Sequence, residues 1–212
     1  MFKRAILVCN GSLTTKEFYS IVTKDDFIVA VDGGANKLLK TKFVPNIIIG
    51  DMDSINSTAK KKYSKVTKIC FPREKDLLDL ELAINYCIEQ KFSEIVILGA
   101  FGSRHDMSLT NVFLLSQIPE NINAKIVNGS QEIFLIRKNE LVLSGIPGEK
   151  ISIFPIKGDA KGITLEGFKY CVQNYDLRFG IGFGLSNEFK NKKARISFKD
   201  GMLLCVHFHK WF

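Results

Sequence analysis

The sequence predicts an α/β protein in two parts: an N-terminal, mostly parallel, Rossmann-like α/β domain over residues 1–128 and a C-terminal β-sandwich domain over residues 129–212. Strand and helix patterns alternate through the first half, which calls for a parallel sheet with helices on both sides. Near Asn128-Gly129 that alternation gives way to short strands separated by Gly, Pro, Asn and Asp turns. Between them the stretch Ile47-Ile48-Ile49-Gly50-Asp51-Met52-Asp53-Ser54 joins a buried-strand run to two carboxylates one residue apart. Three β-branched residues suit a central strand, and the glycine lets the backbone turn at its carboxyl end, the edge where open α/β sheets bind ligands.

The elements follow in order. Residues 4–9 read as a strand, 14–22 as a short helix, 27–31 as a strand ending in Asp32-Gly33-Gly34, and 35–41 as a helix. After the strand at 47–49 come a lysine-rich helix near 57–64 and a short strand near 66–70. From Asp76 to about Gln90, Leu77, Leu80, Ile84, Cys87 and Ile88 fall on one helical face. A buried strand at 94–98 and a helix at 107–117 complete the first half. The second half reads as strands at 133–137, 140–143, 151–155, 168–172, 194–198 and 202–208.

Composition narrows the function classes. A chain of 212 residues with 46% hydrophobic content has enough apolar material for one large or two small cores. The apolar run after Lys3-Arg4 is cut by Asn10-Gly11, and no 18 uncharged apolar residues follow one another, so a cytoplasmic protein without membrane segments is expected. Five dispersed cysteines form no Cys-x-x-Cys pair and read as reduced core residues. His207 and His209 share a face of the last strand, but no third soft ligand stands nearby in sequence. The net charge of +8 favours polyanionic partners. The lysine clusters at 60–68 and 190–195 lack interleaved aromatics, which ranks a small phosphate ligand above nucleic acid.

Four loops at strand ends concentrate Asp, Gly and Arg. In Asp32-Gly33-Gly34-Ala35-Asn36, glycines before a helix can bring backbone N–H groups to a phosphate or ribose, or simply turn the chain. In Asp51-Met52-Asp53-Ser54, two carboxylates repel unless a cation sits between them, and Mg²⁺ prefers such oxygen ligands; the plain alternative is a turn and helix cap. In Arg73-Glu74-Lys75-Asp76-Leu77-Leu78-Asp79, Asp76 and Asp79 either face a metal or form a capping-box variant. The fourth, Gly99-Ala100-Phe101-Gly102-Ser103-Arg104-His105-Asp106, presents an arginine fork suited to phosphate beside a carboxylate. No Walker-type Gly-x-x-x-x-Gly-Lys-Ser occurs, and Gly180-Ile181-Gly182-Phe183-Gly184 lacks the context of a dinucleotide fingerprint.

The ordered set Asp32-Gly33-Gly34-Ala35, Gly50-Asp51-Met52-Asp53-Ser54, Lys75-Asp76-x-x-Asp79-x-Glu81, Gly99-x-x-Gly102-x-Arg104-x-Asp106 with Asn111, and Ser186-Asn187-Glu188 resembles the thiamine pyrophosphokinase family, and the likeness spans nearly the whole chain. It implies an N-terminal domain for ATP and Mg²⁺, a C-terminal thiamine-binding and dimerisation domain, and a homodimer with shared sites. It implies Asp51, Asp53 and Asp79 as metal and catalytic acids, with Asp76 or Asp79 taking the hydroxyl proton, and Arg104 with Asp106 as an active-site pair. The nucleotide candidates are Asp32, Gly33, Gly34, Asn36, Ser54, Lys75, Gly102, Ser103, Arg104 and Asn111; for thiamine the resemblance implies Ser186 and Asn187, and the neighbouring Phe189 offers a cation–π face. The chain departs from the family's pattern at Leu78, Ser103 and Met107, where Thr, Gly and His are usual. The expected reaction is attack of the thiamine hydroxyl on the β-phosphorus of ATP, releasing AMP. The competing readings are a diphosphokinase for a hydroxymethylpterin and a non-catalytic nucleotide- or nucleic-acid-binding module.

Overall fold

A computed structural model describes residues 3–72, 74 and 76–210. The chain divides into two compact units, Met1–Gly129 and Ser130–Phe212.

In the first unit the order is β1 (Arg4–Val8), α1 (Thr15–Ile21), β2 (Phe27–Val31), α2 (Gly34–Leu38), β3 (Ile47–Gly50), α3 (Ser57–Lys62), β4 (Thr67–Cys70), α4 (Asp79–Glu89), β5 (Glu94–Leu98), α5 (His105–Leu114) and β6 (Asn123–Asn128). The strands lie in the order β6-β5-β1-β2-β3-β4, all pairs parallel. Chain direction across the sheet reverses between β1 and β5, so the switch point where such folds bind ligands lies at their carboxyl ends. Alternate residues serve opposite faces, and both are apolar. Ile6, Val8, Ile28, Ala30, Ile48, Val96 and Leu98 share a core with Phe18, Leu38, Ala59 and Tyr63, while Leu80, Ala83, Ile84 and Cys87 are the buried face of α4, which packs on β1 to β3. No described helix is long and apolar enough to cross a membrane.

The second unit holds β7 (Gln131–Ile136), β8 (Glu140–Ser144), β9 (Lys150–Pro155), β10 (Ala160–Glu166), β11 (Val172–Leu177), β12 (Asn187–Glu188), β13 (Lys193–Ser197) and β14 (Leu203–Phe208). Two antiparallel sets, β12-β9-β14-β7 and β11-β10-β13-β8, contribute to one core that includes Ile151, Ile153, Leu203 and Cys205 from the first and Ile163, Leu165, Leu177 and Ile196 from the second.

Several elements differ from expectation. The helix expected from Asp76 starts at Asp79, and Leu77, expected on its buried face, is 39% exposed. The strand expected at 168–172 is not formed: Phe168 makes a single bridge to Phe189, and the regular strands flank it as β10 and β11. These escaped pattern reading because β10 pairs β11 with two register shifts and β11 is largely exposed and polar. β6 was missed because its pattern is mixed, with only Ile126 and Val127 buried.

Candidate active site

A cavity of about 580 Å³ opens in the first unit above the carboxyl ends of β1, β2, β3 and β5. Its acidic side is assembled from three separate connections. Asp32 follows β2, Asp51 follows β3 and Asp79 opens α4, and one carboxylate oxygen from each lies within 4.8 Å of the others. Gly50 makes the convergence possible. Its φ of 148° suits glycine, and a Cβ there would stand 2.8 Å from Asp32 Cβ and 3.2 Å from Asp79 Cγ.

Asp32 is the strained member, with φ 41° and its N–H bonded to Ile49 O at 2.8 Å. It is 8% exposed, and its Oδ1 is buried without a hydrogen-bond partner. Burial pushes the carboxyl pKa up; the Gly33 N–H and the Ser54 hydroxyl oppose this, and the charges of Asp79 and Asp51 add to it. An all-oxygen donor set with one orphaned buried oxygen fits a hard divalent cation such as Mg²⁺. The expected metal set was Asp51, Asp53 and Asp79. Asp53 does line the cavity, but it is exposed, its Oδ1 accepts from the Ser54 hydroxyl at 2.8 Å, and the clustered third acid is Asp32. A left-handed Met52 (φ 66°) and a bond from Asp53 N–H to Asp51 Oδ1 turn the chain between the two acids.

Arg104 precedes α5 and lines the same cavity with its side chain 71% exposed. Its guanidinium donates to Asp106 through Nε at 2.9 Å and through Nη2. That pairing, with the Met107 N–H, holds the Asp106 carboxyl at about 2, so the pair stays charged throughout the neutral range. Asp106 therefore orients Arg104 and is not itself among the lining residues. Asn111 is 6% exposed, donates to Ala100 O at 2.6 Å and keeps a buried Oδ1 without a partner at the cavity wall. Gly33, Ser54, Gly102 and Ser103 also line it.

Other expected residues go elsewhere. Gly34 is needed for packing, since a Cβ would fall 1.8 Å from Val8 O. Asn36 spends its amide inside the protein, donating to Ser54 O at 2.8 Å and accepting from Asn56 N–H at 3.0 Å, which ties the loop after β2 to the loop after β3. Asp76 is exposed and outside the cavity lining. The residue before α4 is Leu78, which cannot cap with its side chain, so Asp79 supplies the negative charge that the helix start favours. Lys75 lies outside the described residues. Of the departures, Leu78, Ser103 and Met107 all line the cavity, and the first and third make part of its wall apolar. Sequence reasoning used Asn10-Gly11 only as the end of an apolar run, yet both line the cavity. Gly11 N–H bonds to Gly99 O at 2.9 Å, joining the two loops at the switch point. An Asn-Gly turn straight after a buried first strand was the available signal. Cys9, beside them, is inert: burial, with the Asp79 charge, pushes its thiol up to about 12.

The residues expected at thiamine lie in the second unit. Ser186 is exposed, with φ 53°, and its N–H donates to Ser152 Oγ at 3.0 Å. Asn187 is buried; it donates to Tyr170 O at 2.7 Å and accepts from Tyr170 N–H at 3.0 Å, so its side chain shapes the turn. Phe189 corrects the cation–π expectation. It is 1% exposed and packs against Phe168 and His207, with ring centroids 5.2 and 5.0 Å away, because its neighbours on both sides belong to the core.

The family model for the thiamin pyrophosphokinase catalytic domain matches residues 18–127, and that for the thiamin pyrophosphokinase vitamin B1 binding domain matches residues 135–203. A thiamine pyrophosphokinase from Bacillus subtilis is 29% identical over 182 residues, covering 84% of this chain and 85% of that protein. The crystal structure of thiamine pyrophosphokinase from Bacillus subtilis matches at a TM-score of 0.88 with 26% identity, covering 98% of this chain and 100% of the other. That from Geobacillus thermodenitrificans matches at 0.85 with 26% identity, covering 98% of each.

Proposed function

Since this chain belongs to the thiamine pyrophosphokinase family, we propose that the acidic cavity is where it transfers the pyrophosphoryl group of ATP to the hydroxyl of thiamine, giving thiamine diphosphate and AMP. The observation that carries this reading is the meeting of Asp32, Asp51 and Asp79 in one cavity that Arg104 also lines. Transfer of this kind needs positioning and charge neutralisation rather than a covalent intermediate. Asp32, Asp51 and Asp79, with Asp53 at the rim, would hold Mg²⁺. When bound, such an ion neutralises phosphate charge and favours in-line displacement. Arg104, kept in position by Asp106, grips phosphate oxygens. Asn111 Oδ1 and the loop Gly102-Ser103 accept and donate hydrogen bonds to the nucleotide. Of the two acids left open for the hydroxyl proton, Asp79 lines the cavity and Asp76 does not, so the role falls to Asp79.

We read the first unit as the Rossmann-like ATP and Mg²⁺ domain and the second as a β-sandwich for thiamine binding and dimerisation. Ser186 would meet thiamine directly and Asn187 would hold the turn that presents it. Ser186→Ala is expected to raise the thiamine KM several-fold with the ATP KM unchanged; steady-state kinetics check this, and a shift in the ATP KM instead would sink the assignment. A homodimer is supported by Phe179, Ile181, Phe183 and Leu185, apolar residues between 42% and 62% exposed on the segment before β12. Sedimentation equilibrium should give twice the chain mass, and Phe179→Asp with Phe183→Asp should give the monomer. Five free cysteines agree with a reducing, cytoplasmic setting.

Phosphorus NMR of the pure protein with ATP, Mg²⁺ and thiamine tests the reaction. AMP and thiamine diphosphate are expected, with both signals lost on chelation of Mg²⁺. ADP and thiamine monophosphate would mean attack at the γ-phosphorus, and the proposed mechanism would fail.

A further inference from the structure

In the second unit, His207 of β14 and His209 just past its end meet the third ligand that sequence spacing did not supply. Glu149, from the turn before β9, is 2% exposed, and its carboxylate lies 3.0 Å from His207 Nε2 and 3.9 Å from His209 Nδ1. One ligand atom from each of the three falls within 4.8 Å of the others. The far nitrogen of His209, Nε2, is 3.4 Å from Glu132 on β7. The backbone N–H groups of Ile146 and Lys210 bond Oε2 and Oε1 of Glu149, at 3.0 and 2.9 Å, and His207 Nε2 shares a hydrogen bond with Oε2, so the carboxylate is fixed and an ion would take the place of the proton between Glu149 and His207.

We propose that Glu149, His207 and His209 form a binding site for a borderline divalent ion of the zinc class within the second unit. Ligand atoms around a tetrahedral zinc stand roughly 3.3 Å apart, and each imidazole faces its own oxygen of Glu149, His207 Nε2 at 3.0 Å from Oε2 and His209 Nδ1 at 3.9 Å from Oε1. Two imidazoles and a carboxylate favour zinc over magnesium, which takes oxygen donors. Glu132 completes the arrangement often seen at such sites. Its carboxylate, 3.4 Å from the far ring nitrogen of His209, is placed to hold that nitrogen protonated once an ion occupies Nδ1. Three protein ligands leave the fourth position to a water, which the burial of Glu149 and His207 encloses, and the site braces the segment expected to meet thiamine. His207 stacks on Phe189 at 5.0 Å, and Phe189 N–H bonds Glu149 O at 2.9 Å.

The test uses the intact protein with Cys70→Ser and Cys171→Ser, removing the exposed thiols, in excess Mg²⁺ to saturate the acidic cavity. Co²⁺ is titrated and followed by visible absorption, and Zn²⁺ by equilibrium dialysis and thermal melting. The expected result is about one ion per chain, the strong d–d bands of a four-coordinate nitrogen-containing site, and a raised melting temperature. His209→Ala should abolish the bands. Glu132→Gln, which preserves shape, should weaken Zn²⁺ binding about 10–100-fold and serves where His209→Ala does not fold. Absence of the bands and of any Zn²⁺-dependent stabilisation in the parent protein would overturn the proposal and leave His209 as a ring packed between Glu132 and Glu149. Bands that survive both variants would overturn it equally.

Discussion

Asp79→Asn is expected to lower kcat by about 10²–10³-fold, the scale seen when an active site is deprived of one preorganised electrostatic group. Its effect on stability should be small and should depend on the metal. Asp79 stands with Asp32 and Asp51 in a cluster whose oxygens lie within 4.8 Å, so without divalent ions the substitution removes like-charge repulsion. It also removes a negative charge from the start of α4, where Leu78 offers no side-chain cap, at a cost of about 0.3–1 kcal/mol. These oppose each other, and the apo melting temperature should barely move. In Mg²⁺ the parent protein should gain stability by mass action while the variant gains little. Thermal melts with and without Mg²⁺, beside the kinetics, check both halves. A variant with normal turnover, or with the parent's full Mg²⁺-dependent shift, would remove Asp79 from the site.

Gly50→Ala should be as damaging to activity without touching a single functional group. At φ 148° an alanine is strained, and its Cβ would meet Asp32 and Asp79 at 2.8 and 3.2 Å, so the two acids must separate. The strain alone costs of order 1–3 kcal/mol. Urea unfolding should register that loss, and Mg²⁺ binding measured by calorimetry should weaken in parallel with kcat. Retained Mg²⁺ affinity in a protein destabilised by the expected amount would mean that the acids do not need their present spacing.

The two variants separate chemistry from geometry, and the same division runs through what was legible beforehand. Alternation of apolar runs with amphipathic stretches is local, and it marked every strand of the first unit except β6. In the second unit the reading slipped where local pattern and pairing part company. Phe168 looks like strand but makes only a bridge, while β10 is regular despite two register shifts. Asp51, Asp79 and Arg104, which line the cavity, were readable as candidates because Asp and Arg at strand ends stand out in any sequence.

Which acids meet was not readable. Asp51 and Asp53 are neighbours in sequence, yet a left-handed Met52 and the Ser54 hydroxyl take Asp53 to the rim, and Asp32, nineteen residues upstream, fills the third position. Phe189 reads as an available aromatic until Phe168 and His207 are seen on either side of it. Glu149 is 58 residues from His207 and gives no sign of belonging with it. By itself the sequence determined the fold class, the family and the supply of carboxylates and arginine, because these follow from periodicity and from residue chemistry in order along the chain. Only the tertiary structure decided which of those groups share a site. Distance between side chains is set by strand order, register and the turn taken at each strand end, and none of these is a local property of the chain.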